Sequence, residues 1–244
     1  MFAIYKREMR SYFTSPLGYI YCGIFLAVNG AVFSIFTLLQ GDKSSLSSYF
    51  SSILFAFIVL IPLLTMRSFA DERKTKTEQL LLTAPVTLPG MVFGKFLAAY
   101  TMFAATFLVG CTNLYTIYKF GPVNEYTGVS EVNTAQIIGY VIGILLVGAA
   151  FVAIGIFISS LTENQIVAAL GTMAVMLIFL AASFLNSKIP FAWLREVTNW
   201  VSIYSRYGNF GQGIFDFSAL LYYCSISFVF LFLTVRIYEK RRWE

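Results

Sequence analysis

Chemistry in a protein chain needs nucleophiles, bases or metal ligands at workable spacing, and here the supply is narrow. None of the 244 residues is histidine, which removes the His-Glu-x-x-His zinc motif and any Ser/His or Cys/His nucleophilic pair. Cys22, Cys111 and Cys224 are far apart, and each lies in an apolar run where a thiol acts as a small hydrophobe. The Gly94-Lys95 pair is followed by Phe96 and lacks the upstream glycine that a phosphate-cradling loop requires. What remains is a concentration of charge: Asp71, Glu72, Arg73, Lys74, Lys76 and Glu78 fall within eight residues. Acids open this run, Leu80, Leu81 and Leu82 close it, and Pro85 and Pro89 follow, which predicts a short helix with a charged body and an apolar end. On a chain with little other water-facing surface, those leucines have nothing to bury against except another protein. The chemistry on offer is docking, not catalysis.

The elements that must carry this segment are set by composition. The chain is 58% hydrophobic and 12% charged, against roughly 25% charged in soluble domains, and a water-soluble globule is excluded. Crossing about 30 Å of hydrocarbon takes about 20 helical residues. Six segments qualify: Leu17–Leu39, Leu46–Met66, Phe96–Tyr118, Ala135–Ile158, Gln165–Leu185 and Ala219–Val235, none holding Asp, Glu, Lys or Arg. Lys95 and Lys119 bracket the third. The first runs well past any cleavage site after a basic start, which marks a retained helix and not a signal peptide. Pro62 is expected to kink the second, and Gly139, Gly143, Gly148, Ala149, Ala153 and Gly155 should let the fourth pack closely on its neighbours.

Orientation follows from the basic residues. Lys6, Arg7, Arg10, Arg67, Arg73, Lys74, Lys76, Lys95, Arg236, Lys240, Arg241 and Arg242 fall on one face of the six-span scheme, and only Lys43, Lys119, Lys188, Arg195 and Arg206 on the other. Both termini are therefore expected in the cytoplasm. Phe2, Tyr5, Met9, Tyr12 and Phe13 make an apolar stripe at helical spacing, with Ile4 off it, so an interfacial helix on the cytoplasmic leaflet is expected over residues 1–15. On the other side Trp193, Val197, Trp200 and Tyr204 suggest a second amphipathic helix within 186–217. Its Gly-rich continuation, Ser205–Asp216, could enter the membrane only if protein shielded its backbone. Absence of ionisable groups inside the spans speaks against an ion-driven pump. A passive channel or secondary carrier is the alternative to a transport subunit whose engine is a separate chain.

The run from Met66 to Arg73, the stretch from Thr75 to Pro85 and Gly94-Lys95-Phe96 resemble the segment between the second and third helices of type 2 ABC transporter permeases. The nearest branch is that of gliding-motility and nitrous-oxide-reductase-maturation permeases. Lys6-Arg7-Glu8 through Ile20, Gly155 through Gln165, and Gly208-Asn209-Phe210 with Gly213 to Asp216 extend the likeness along essentially the whole chain. The resemblance implies a six-helix, all-α permease domain over 1–244 in the bacterial plasma membrane. It implies an exporter formed by two copies of this chain and two cytoplasmic ATPase subunits, while the uncharged, aromatic-rich helices suit an amphipathic or hydrophobic cargo, such as a peptide or lipid-like compound. ATP and Mg would sit on the partner, and this chain is expected to bind no cofactor, metal or nucleic acid. Segment 67–90 would be coupling, with Arg67, Asp71, Glu72, Arg73, Thr75, Thr77, Glu78, Leu80, Leu81 and Leu82 in contact, and Ser159 and Glu163 supplying a second, shorter contact. The helix bearing Phe2, Tyr5, Met9, Tyr12 and Phe13 would also touch the ATPase. Lys76 stands where many members of that family have glycine.

Overall fold

The computed structural model describes residues 1–39, 46–79, 86–120, 134–185, 193, 202–211 and 216–243. Every regular element among them is helical. Helix α1 (Phe2–Thr14) and α2 (Pro16–Phe33) meet at Ser15, whose extended backbone breaks the helix while Pro16 starts the next one where its missing N–H is not needed. A π-helical turn, Ser34–Leu38, extends α2. Then come α3 (Leu46–Thr65), α4 (Arg67–Lys74) and α5 (Leu88–Gly110), which passes through a tight turn into α6 (Leu114–Phe120). Helices α7 (Thr134–Leu161), α8 (Gln165–Leu185), α9 (Ile203–Phe210) and α10 (Phe217–Trp243) complete the chain. The long helices α2, α3, α5, α7, α8 and α10 are each long and apolar enough to cross a membrane, so the six spans expected from the sequence are present. Pro62 is buried within α3.

Helix α7 is the hub, touching α3, α4, α5, α8, α9 and α10. Its small residues make this possible. A methyl group at Gly148 would collide with the Phe103 ring of α5, and one at Gly155 with Thr65 of α3. Hydrocarbon tails give helices no hydrophobic reason to associate, so such close approach, with its dispersion contacts, holds the bundle together. Around it runs an aromatic core. Phe25, Phe57 and Phe103 from α2, α3 and α5 meet with ring centroids 5.1 to 6.3 Å apart, and Phe50 of α3 stacks on Tyr140 of α7 at 4.6 Å. Each such pair adds about 0.5–1.5 kcal/mol beyond simple burial. Helix α9 is packed on α7 and α8 through Ile203, Tyr207 and Phe210, so protein covers one side of the described part of the Gly-rich stretch while Gly208 stays exposed. Trp193 is largely exposed; Val197 and Trp200 lie outside the described residues.

Two expectations change. The third span begins at Leu88, eight residues before Phe96, because Thr87 and Pro89 open a helix instead of closing the preceding segment. Lys95 therefore lies inside α5, its side chain 1% exposed, and does not flank the span. The first helix packs on protein through a residue outside its predicted stripe. Ile4, expected off the apolar face, is the buried residue of α1, while Phe2 and Phe13 are 77% and 54% exposed. Met1 and Ile4 press on Gly94 of α5, and the Tyr5 hydroxyl lies 3.4 Å from Thr101 Oγ1. A single amphipathic pattern records that two faces differ, but not which of them meets protein.

Candidate functional site

The charge-dense segment is built at the junction of α3 and α4. Backbone N–H groups of Phe69 and Ala70 donate to Ser159 Oγ at 3.1 and 3.2 Å, and the Ser159 hydroxyl donates to the Met66 carbonyl at 3.1 Å. Two acceptor pairs and one donor are a hydroxyl's full capacity. Ser159 of α7 thus acts as an N-cap supplied from another helix, meeting donors that the start of α4 would otherwise leave open. The other end of α4 closes at Thr75, where Thr75 N–H bonds Asp71 O at 3.0 Å and Lys76 N–H bonds Arg73 O at 3.1 Å. Lys76 there has φ +57°, the left-handed conformation that ends many helices and favours glycine. Thr75 and Thr77 hydroxyls take up the Asp71 and Glu72 carbonyls. The predicted helix from Asp71 to Leu82 is thus interrupted: one helix runs from Arg67 to Lys74, a turn occupies 75–77, and helical backbone resumes at Glu78 and Gln79. Leu80, Leu81 and Leu82 lie outside the described residues.

Lys95 ties this segment to two other helices. Its ammonium donates to Glu8 of α1 at 3.1 Å and the Ser68 carbonyl at 2.6 Å, forms an ion pair with Glu72 of α4 at 2.9 Å, and stands 4.9 Å from the Phe69 ring centre. Arg7 bridges the same two carboxylates at 2.7 and 2.6 Å. Burial pushes the Glu8 carboxyl up, but Lys95 and Arg7 outweigh it and hold Glu8 below the ordinary carboxylate value. The result is a charge-balanced ring of Arg7, Glu8, Glu72 and Lys95 joining α1, α4 and α5.

Further contacts bind the rest of α4. Arg67 pairs with Asp71 at 3.0 Å, and Asp71 also accepts from Gln165 of α8 at 2.7 Å. Arg73 reaches Glu163 at 3.1 Å and the Leu161 carbonyl at 3.1 Å, so it clasps the turn between α7 and α8. Glu78 pairs with Arg241 of α10 at 3.2 Å, and Arg241 donates to the Ser160 carbonyl at 2.8 Å. Phe69 packs on Tyr238 of α10, ring centres 4.8 Å apart. The first helix, the segment after α3, the α7–α8 turn and the tail of α10 therefore meet at one end of the bundle. A run of exposed residues, Lys74 to Thr77, faces outward from it.

Of the residues singled out by sequence, Asp71, Glu72, Arg73, Glu78 and Glu163 are brought together here, with Thr75 and Thr77 at the exposed turn. Ser159 is not an outward contact: it is fully buried and positions α4. On α1, Tyr12 and Met9 face the bundle in part, and the Tyr12 hydroxyl reaches the Leu64 carbonyl at 3.5 Å. Lys95, Arg7, Glu8, Gln165 and Arg241 were missed as site residues. The signal that could have found Lys95 was a lone cation four residues after Pro-Gly-Met inside an otherwise apolar, helix-length run. Among the described residues no group of His, Cys, Asp and Glu could hold a metal ion.

A family model described as ABC-2 family transporter protein matches residues 26–238, from the middle of α2 to the C-terminal end of α10. Comparison with curated proteins returns no match. With six membrane-length apolar helices and that match over most of its length, the chain belongs to the ABC-2 family of transporter proteins and is the multi-pass membrane permease component of an ABC transporter.

Proposed function

We propose that this permease is driven at its charged end, which faces the cytoplasm together with both termini, by a separate ATPase that docks on α4 and the turn from Thr75 to Thr77. Two copies of the chain and two ATPase subunits form an exporter, and rocking of α4 moves the spans around a shared path. The observation that carries this reading is the double character of α4. On one side its residues are bonded to α1, α5, α8, α10 and the α7–α8 turn; on the other, Lys74, Thr75, Lys76 and Thr77 are exposed. A lever needs both a grip and a linkage, and an ion-paired linkage moves as a unit where separate contacts would slip. Aromatic-rich spans, whose middle parts carry no charged side chain, suit an amphipathic or hydrophobic cargo, such as a peptide or lipid-like molecule.

The test uses the outward face, since reversal of the inward-facing acids would unfold the linkage itself. Lys74→Glu combined with Lys76→Glu, in the tagged full chain purified from its native membrane, should leave insertion and thermal stability unchanged. It should abolish both the co-purifying, vanadate-sensitive ATP hydrolysis and ATP-dependent efflux. Unchanged hydrolysis and efflux would overturn the docking site, and substrate flux through the purified chain in ATP-free liposomes would favour a passive channel or carrier instead.

A further inference from the structure

A cavity of about 240 Å³ lies beside the ion-pair ring, walled by α1, the Ser15 junction, the start of α2, the ends of α3 and α4, and Lys95 of α5. Its wall carries three cations, Arg7, Arg67 and Lys95, and three carboxylates, Glu8, Asp71 and Glu72. A wall with both signs and no net charge suits a ligand built the same way, because a simple anion would lie against three carboxylates and a simple cation against three basic groups. The lining is not fully satisfied from within. Arg67, about a third exposed, uses one of its five donors on Asp71. The hydroxyl of Tyr21, a buried wall residue, has no hydrogen-bond partner among the described residues, and a buried polar group in that state calls for a missing partner.

Outside the cavity the surface changes character. Phe13 and Tyr19 meet edge-on at 6.5 Å across the α1–α2 junction, both more than half exposed. Ile20 and Ile24 continue this apolar strip along α2, one of the least buried of the six membrane-length helices. A polar recess of balanced charge next to an apolar spanning helix, with aromatic rings at the boundary, matches an amphiphile lying in the bilayer. The recess is smaller than the roughly 300 Å³ at which pockets for drug-sized ligands begin, so it takes a headgroup and leaves the tails outside.

We propose that this cavity binds the headgroup of phosphatidylethanolamine. The phosphate is held by the Arg67 guanidinium, the primary ammonium by Asp71, and the acyl chains follow Tyr19, Ile20 and Ile24 along α2. Arginine suits the phosphate because its fork matches the oxygens. The carboxylates select an ammonium with N–H donors over the methylated ammonium of choline. Because Arg67 and Asp71 belong to α4, a bound lipid ties that helix to α1 and α2, and it does so whether or not an ATPase docks on the other face.

Native mass spectrometry of the full chain, delipidated and then offered equal phosphatidylethanolamine, phosphatidylcholine and phosphatidylglycerol in mixed micelles, tests this. The wild-type chain should retain phosphatidylethanolamine about tenfold over each of the others, the order expected for one charge-assisted contact. Asp71→Asn, which removes the charge that selects the ammonium, and Ser11→Trp, which fills the cavity from α1, should each abolish that preference while elution volume and helicity stay unchanged. If Asp71→Asn does not fold, Ser11→Trp alone decides. Equal retention of the three lipids, a preference for phosphatidylglycerol, or unchanged preference in Ser11→Trp would overturn the proposal. So would free phosphoethanolamine that raises the melting temperature as much as the lipid does, since it would place the natural ligand in water.

Discussion

The two ends of the bundle are fastened by different means. At one end, Arg7, Glu8, Glu72 and Lys95 form a closed ring of charge spanning α1, α4 and α5, with Arg73, Glu163, Glu78 and Arg241 extending it to α7, α8 and α10. At the other, Asn29 of α2 is buried and its Oδ1 accepts from the Tyr49 hydroxyl of α3 at 2.9 Å and from Asn113 Nδ2 at 3.4 Å. Its own Nδ2 packs on Gly110 of α5 without a hydrogen bond. The neutral cluster tolerates an orphaned donor; the charged ring has every one of its groups paired. Buried charges make breaking one contact expensive, so the ring behaves as a single piece, while the neutral end can shift by small repacking. That asymmetry fits the proposed docking of an ATPase at the charged end, where a stiff junction would pass motion on to a more compliant far end.

The sharpest way to break the asymmetry is at its centre. Lys95→Met keeps the length of the side chain but leaves Glu8 and Glu72 facing each other with Arg7 alone between them. Removing one partner of a buried pair costs about 3–5 kcal/mol, so the melting temperature of the detergent-purified chain should fall by many degrees and α1 should become protease-sensitive. A fall no larger than that of a surface substitution would mean the ring is decorative. Ser159→Ala comes next. It strands the Phe69 and Ala70 N–H groups and frees the Met66 carbonyl, at about 1–3 kcal/mol for a buried unsatisfied group. Amide exchange should accelerate in α4 while the middle of α3 and α7 stays protected. Uniform acceleration through the bundle would assign Ser159 to general packing.

These two residues also show where sequence reasoning reached and where it stopped. The six spans were legible because each is an apolar run longer than a membrane needs, a property of consecutive residues. The site was half legible: Asp71, Glu72, Arg73 and Glu78 stand out as a local concentration of charge. Their partners do not. Glu8 and Lys95 are 87 residues apart and Ser159 is about 90 from the backbone it caps, so their meeting is decided by the packing of α1 and α7 on α3 to α5, which no local pattern records. By sequence Lys95 reads as a boundary marker because an isolated lysine normally is one; burial with two carboxylates and a carbonyl removes the penalty that makes it so.

The opposite end should yield less. Asn29→Ala deletes the acceptor shared by Tyr49 and Asn113, and side-chain hydrogen bonds between membrane helices average about 0.6 kcal/mol. The expected loss is a degree or two of melting temperature, several times smaller than for Lys95→Met measured in the same detergent. An equal loss at both ends would dissolve the distinction between a stiff end and a compliant one.

The smallest effect has the opposite sign. Lys76 adopts φ +57° with an exposed side chain, so its cost lies in the backbone: a left-handed non-glycine residue is disfavoured by about 1–2 kcal/mol. Part of that returns as extra backbone entropy in the unfolded chain once glycine is present. Lys76→Gly should therefore stabilise the end of α4 by a few tenths of a kcal/mol up to about 1 kcal/mol, seen as slower amide exchange at Thr75 and Lys76 with the ring contacts untouched. If Lys76 also meets a docking partner, the same variant will be more stable alone yet bind less ATPase activity. That combination separates a residue kept for its surface from one kept for its turn. A destabilised Lys76→Gly would mean instead that the lysine side chain holds the turn, and that the stiff end of the molecule reaches one residue further than the ion-pair ring.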